Sequence, residues 1–199
     1  MTKALSVIIV GGLLAACAAD GTDPTSPIEV PVFGQTELPP LANDKFGTGL
    51  SAAEEVMPAG VVNPSKAIGI ATFRLRWTGD TLDYKLTVTR ISNVTQAHIH
   101  QAAFGVNGGV VVWLYPSTTP GAGPNGQGPI SGLIAQGTIT AANLVGGLVG
   151  QPLSALLDVL RSGNGYVNVH TNDGVAPTNT GPGDFPGGEI RGQIEHTGH

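Results

Sequence analysis

Two short stretches alternate apolar and polar residues with period two. They are Phe73-Arg74-Leu75-Arg76-Trp77 and Leu82-Asp83-Tyr84-Lys85-Leu86-Thr87-Val88. In an extended chain that spacing puts the apolar side chains on one face and the polar ones on the other. Gly79-Asp80 lies between them and supplies a turn, so the pair predicts an antiparallel hairpin. A lone hairpin is marginal in water and needs more strands to cover its apolar face. Residues 97–100, 110–115, 133–140, 166–170 and 189–195 supply candidates, with 110–115 apolar enough to lie inside a sandwich. Trp77 and Trp113 sit on these patterns, which predicts packing in the core or at its rim. Residues 151–160 break the pattern. Pro152 suits a first helical turn, Leu153, Leu156, Leu157 and Leu160 line one face, and Gly163 can end the helix. Loops are expected at 116–132 and 172–188. With 30 Gly and 15 Pro among 199 residues and only 12% charged, the composition fits an all-β domain with long connections. The expectation is one sandwich of seven to nine strands with one short crossover helix, over residues 45–195.

The N-terminus has a different character. Met1-Thr2-Lys3 precedes an apolar run from Ala4 to Ala16, too short for the roughly 20 residues of a membrane-spanning helix and laid out like a secretory leader. It ends in Leu14-Ala15-Ala16-Cys17, which resembles a lipobox, and Cys17 is the only cysteine in the chain. The expectation is that residues 1–16 are removed and Cys17 carries a lipid that ties the protein to a membrane outside the cytoplasm. The alternative is a plain leader with a chance cysteine. Ala18 after the cysteine, where an Asp favours the inner membrane in enteric-type bacteria, points to the outer membrane. Residues 17–44, rich in Pro, Gly and Asp, lack sustained periodicity and read as a tether. Residues 196–199 read as a frayed tail.

Charge narrows the partners. The chain has 14 acidic and 9 basic residues, and loss of Lys3 with the leader leaves 14 against 8, a net charge of −6. That disfavours nucleic acid, which requires a basic face. With its one cysteine carrying a lipid, the domain has no disulfide and depends on a packed core.

The histidines are the strongest chemical signal. His98-Ile99-His100 places two imidazoles on the same face of a strand, and His170 ends another strand before a polar loop. Three neutral imidazoles converging on one ion suit copper or zinc. The competing reading makes them structural groups that hydrogen-bond nearby loops, and spacing alone does not decide. His196 and His199 fall in the tail. Glu189 and Arg191, two apart, could pair with each other or with neighbouring strands. In one reading Glu189 orients an imidazole through its second ring nitrogen. In the other it ties the last strand to the long loop. Asp173 and Asp184 are weaker candidates beside the same loop, and Asn107 and Asn168 read as loop fasteners.

Several motifs in order resemble the CHRD domain. They are Leu50-Ser51-Ala52-Ala53-Glu54-Glu55-Val56-Met57-Pro58, Ala97-His98-Ile99-His100, Gly105-Val106-Asn107-Gly108, Tyr166-Val167-Asn168-Val169-His170-Thr171 and Gly187-Gly188-Glu189-Ile190-Arg191-Gly192-Gln193. The resemblance runs from about Phe46 to Ile194. It departs at Ala102, where the family usually has Gly, and at Met57, where the family commonly runs Glu-Val-Pro. The module is named for chordin, an extracellular binder of bone morphogenetic proteins, and occurs in bacterial exported proteins. It implies an immunoglobulin-like, Greek-key β-sandwich or barrel with a faint similarity to copper-zinc superoxide dismutase. That similarity implies copper-ligand roles for His98, His100 and His170 and a superoxide-guiding role for Arg191. A bridging histidine, a zinc cluster and the sandwich disulfide are missing. Three functions follow as expectations. The first is an envelope protein that binds a transition metal, copper before zinc, through His98, His100 and His170 without catalysis. The second is an adhesive or scaffolding module for a protein or polysaccharide. The third is a copper-only dismutase-like enzyme.

Overall fold

The structure is a computed structural model that describes residues 43–198. The leader, Cys17, the tether up to residue 42 and His199 lie outside the described residues. Nine strands form one antiparallel ladder: β1 Lys45–Ser51, β2 Ile68–Leu75, β3 Leu82–Ser92, β4 Val94–Gln101, β5 Gly109–Tyr115, β6 Pro129–Ile139, β7 Gly165–Thr171, β8 Ile190–Gln193 and β9 Glu195–Gly198. The order is β5-β4-β7-β8-β1-β2-β3-β6, with β9 also on β1. Its two ends, β5 and β6, pack against each other, so the sheet nearly closes around its core. Among the described residues no helix is long and apolar enough to cross a membrane.

The hairpin is β2 and β3, in register from Ile68↔Thr89 to Leu75↔Leu82. Burial alternates along β2, with Ala71, Phe73 and Leu75 inward. The alternation stops at Leu75 because the Arg76 N–H bonds the Thr81 carbonyl and Gly79, at φ 76°, turns the chain. Trp77 therefore belongs to the turn. It is 68% exposed, which corrects the expectation that it packs in the core or rim. The chain crosses between the two halves of the sheet at Asn93, whose φ of 56° makes the corner. Its side chain accepts from the Gly128 N–H at 2.8 Å and donates to the Gly183 carbonyl at 3.1 Å.

The helix α1 spans Leu153–Arg161. Pro152 caps its start, Leu153, Leu156, Leu157 and Leu160 are buried, and Gly163, at φ 68°, leaves it. Residues 195–198 are no frayed tail. They pair with β1, Phe46 opposite His196, and the break before them buries Ile194.

One half of the sheet is covered on both faces. On β4, β7 and β8, Ala97, Ile99, Val167, Val169 and Ile190 point into the apolar core. Period two then sends His98, His100, Tyr166, Asn168, His170 and Arg191 to the opposite face. That face is also shielded, since β7 is buried at every position. The candidate site residues thus sit in a second, polar layer outside the core.

Ile99 is fully buried between the two histidines of β4. Ile99→Ala is expected to destabilise the fold by about 2–5 kcal/mol, read as a lowered urea midpoint.

Candidate metal centre

Strand pairing brings the three histidines together. On β4 and β7, Gln96 stands opposite His170, His98 opposite Asn168 and His100 opposite Tyr166. His98 and His100 are two apart on β4, and His170 comes from the neighbouring strand on the same face. All three are buried, and one ring nitrogen of each lies within 4.8 Å of the other two. His98 Nδ1 and His170 Nε2 are 3.1 Å apart.

Backbone carbonyls set the tautomers. His100 Nδ1 meets the Gly108 carbonyl at 3.0 Å, and His170 Nδ1 meets the Pro186 carbonyl at 2.9 Å. A carbonyl only accepts, so both rings carry their proton on Nδ1 and present a bare Nε2. With His170 Nε2 bare, His98 donates to it from Nδ1, which leaves His98 Nε2 bare too. The Nε2 atoms of His98 and His100 are buried with no hydrogen-bond partner. Burial, and then the neighbouring His170 and His100, push His98 down to about 2. Burial pushes His170 down to about 4, against the support of the Pro186 carbonyl. Burial also lowers His100, with Gly108 opposing and the Arg191 charge adding to the shift. These rings are therefore neutral lone-pair donors at neutral pH, the form a metal takes. Imidazole nitrogens at 2.0–2.1 Å from a tetrahedral ion stand about 3.3 Å apart. The 3.1 Å spacing to His170 Nε2 belongs to His98 Nδ1, the nitrogen that carries the proton, so His98 would meet an ion either by moving that proton to Nε2 or by turning its ring to present Nε2. The three residues fit an ion.

The surrounding groups hold this geometry. The Arg191 guanidinium is 1% exposed and lies 3.5 Å over the Tyr166 ring. The other side of that ring stacks on His100, centroids 4.8 Å apart and planes 8° apart. Arg191 donates to Asn107 Oδ1 at 3.1 Å and to the Val106 carbonyl at 2.9 Å, and the Tyr166 hydroxyl accepts from the Gly108 N–H at 3.0 Å. The loop that carries the His100 acceptor is thus fixed from two sides. Trp113, on β5, stands edge-on to His98 at 4.2 Å.

The chain belongs to the CHRD-domain family. The CHRD-domain model matches residues 46–194, which include every strand that builds this layer. No curated protein matches the chain, and no solved structure does.

Within the CHRD domain the remaining expected residues are placed as follows. Glu189 is fully buried, and its carboxylate accepts from Ser65 Oγ at 2.6 Å, Thr171 Oγ1 at 2.6 Å and the Gly183 N–H at 2.8 Å. It fastens the 183–189 loop to β7 and to Ser65. Arg191 has other partners, named above, and its burial does not suit a group that guides an anion in from solvent. Asp173 and Asp184 cap their own loop at the Val175 and Thr180 N–H groups. Asn107 holds Arg191 and also donates to the Val56 carbonyl at 3.1 Å. His196 stands apart, against Phe46 and Asp44.

Sequence reasoning gave no separate role to Glu55, Gly108, Tyr166 or Pro186. Gly108 and Pro186 act through carbonyls, which every residue has, so no side-chain signal exists. Tyr166 shares the His170 face by period two and was findable. Glu55 reaches the layer only through the loop after β1, donating nothing and meeting Asn168 Nδ2 at 3.4 Å.

Two outcomes test this layer. In the unfolded chain the histidines titrate near 6.5. Their folded values are depressed, so protons bind the unfolded state first. The stability of the metal-free protein is complete above that pH and declines as pH falls from about 6.5 toward 4. Urea midpoints at pH 7.5, 6 and 5 should fall in that order, and a flat series would contradict the buried neutral trio. Glu189→Ala leaves three donors unpaired and should destabilise by roughly 3 kcal/mol or more, seen in thermal unfolding.

Proposed function

We propose that this CHRD-domain protein is an exported lipoprotein, held in the cell envelope by a lipid on Cys17, on the outer-membrane or periplasmic side. It binds one transition-metal ion through His98, His100 and His170 and stores or hands over that ion rather than catalysing a reaction. One observation carries the reading: two buried imidazole Nε2 atoms lack any partner and sit beside a third imidazole whose tautomer is set to present its own Nε2. A buried acceptor without a donor is costly, and protonation is opposed by burial. A cation is the partner that satisfies the set.

Copper is favoured over zinc on electrostatic grounds. The three ligands are neutral, and the Arg191 charge is near enough to act on His100. Uncompensated charge is expensive in a buried site, so the monovalent copper ion fits better than a dication, and imidazole suits it. The leader-like run of residues 4–16 and the lone Cys17 support export and the membrane anchor. The acidic net charge argues against a nucleic-acid partner.

A second reading, an adhesive module for a protein or polysaccharide, has one observation in its favour. Phe104 and Val106 are exposed on the loop that Arg191 pins, which gives a rigid apolar contact.

Titration of the purified full-length chain with copper(I) and zinc(II), followed by elemental analysis, decides between them. One equivalent of ion is expected, copper held more tightly. In His98→Ala and His170→Ala affinity should fall by roughly a hundredfold or more, beyond what loss of an outer hydrogen-bond partner causes. No histidine-dependent binding would remove the metal reading and direct attention to the Phe104–Val106 loop.

A further inference from the structure

The three imidazoles are buried, so an ion has to pass the loops that cover them. One small pocket, of about 140 Å³, opens in that cover. Glu55, Val56, Met57, Asn107, Pro186 and Gly187 are among its lining residues. Two of them are each one contact from the histidine face. The Pro186 carbonyl holds His170 Nδ1 at 2.9 Å. Glu55 Oε1 meets the side-chain amide of Asn168, which stands opposite His98 across the β4–β7 ladder.

The Glu55 carboxylate is only half satisfied. Its Oε1 accepts from the Val56 N–H at 3.1 Å. Its Oε2 is buried with no hydrogen-bond partner, and so is Asn168 Oδ1. Both oxygens, and Asn168 Nδ2 with them, lie 2.5 Å from the point where a side chain on Gly188 would begin, so the carboxylate and the amide converge above the same glycine. A carboxylate oxygen without a hydrogen-bond partner, on a residue that lines a pocket beside the three imidazoles, makes a way station for a cation. Oxygen ligands hold copper and zinc more weakly than imidazoles do, so an ion taken up there can move on.

We propose that this pocket is the port of the metal centre and that Glu55 is the group that first captures the incoming ion and passes it to His98, His100 and His170. This rests on the metal-binding reading above and extends it from the ligands to the route. No bond is made or broken other than metal–ligand contacts and, where His98 binds through Nδ1, the shift of its ring proton to Nε2. Glu55 is a transient ligand here and not one of the three final ones.

Gly187 offers a way to close the port. A Cβ built on it meets no atom within 4 Å, so a side chain there starts in open space at the pocket's edge. Trp113, at 4.2 Å from His98, is a built-in reporter, and Trp77→Phe removes the other tryptophan. In that background the full-length chain is mixed with chelator-buffered copper(I), and Trp113 quenching is followed by stopped flow. Across Gly187→Ala, Gly187→Leu and Gly187→Phe, loading and release should slow together as volume increases, by roughly tenfold or more for Phe. Stoichiometry, equilibrium affinity and the urea midpoint should stay unchanged. Glu55→Gln keeps the shape and should slow loading by roughly tenfold. Loading of Gly187→Phe within about twofold of the parent rate, at full stoichiometry, overturns the port and leaves the metal centre standing. A parent protein that takes up no ion overturns the metal-binding reading and the port with it.

Discussion

The polar layer of this domain depends on one buried guanidinium. Arg191 brings a full positive charge beneath the surface, and a buried charge has to be surrounded by acceptors. The loop at 103–107 supplies them, from the Val106 carbonyl and Asn107. Tyr166 supplies its ring face on the other side. The loop so fixed ends in Gly108, whose carbonyl sets the His100 tautomer, while the Tyr166 ring packs flat on His100. A guanidinium, a phenol and an imidazole thus form one stack. Gly108 also tolerates no larger residue, because a Cβ there would lie 2.0 Å from the Gln101 carbonyl oxygen.

The same sheet serves two chemistries. Along β7, Val167 and Val169 enter the apolar core, while Tyr166, Asn168 and His170 enter the polar layer. Strands buried on both faces usually read as continuous apolar runs. Here one face is polar and still covered. The cover consists of loops after β1, before β5 and before β8, tied down by Asn107, Gly108, Pro186 and Glu189. Such a layer is rigid because nearly every group has a partner. Six buried side-chain atoms among the described residues lack one: His98 Nε2, His100 Nε2, Glu55 Oε2 and Asn168 Oδ1 lie on or against the outer face of β4 and β7, while Asp184 Oδ1 lies in the loop before β8 and Gln193 Oε1 on β8. Four of the six thus gather around the three imidazoles.

Legibility in the sequence followed the range of the interactions. The β2–β3 hairpin, the helix and its leucine face, and the shared face of His98 and His100 depend on residues a few positions apart, and they could be read directly. Strand β1 was harder. Phe46 and Leu50 are its buried side chains among Gly, Thr and Ser, so its pattern is too weak to mark a strand without its partner β2. Strand β9 has no apolar signal at all and exists because β1 offers it an edge. Trp77 was misplaced because the period-two pattern extends past the residue at which the turn's hydrogen bonds begin.

By itself the sequence determined the all-β class, the family motifs and the identity of the three imidazoles, because period two and residue type are local properties. Tertiary structure alone decided that His170 stands beside His98, since β4 and β7 are separated by 63 intervening residues and meet only through strand pairing. It alone decided that carbonyls of Gly108 and Pro186 fix which nitrogen is free, because a carbonyl leaves no trace in the side-chain code. It also decided that Glu189 is a fastener while Glu55 stands half unpaired at the pocket, since the worth of a carboxylate is set by the donors that the fold brings to it.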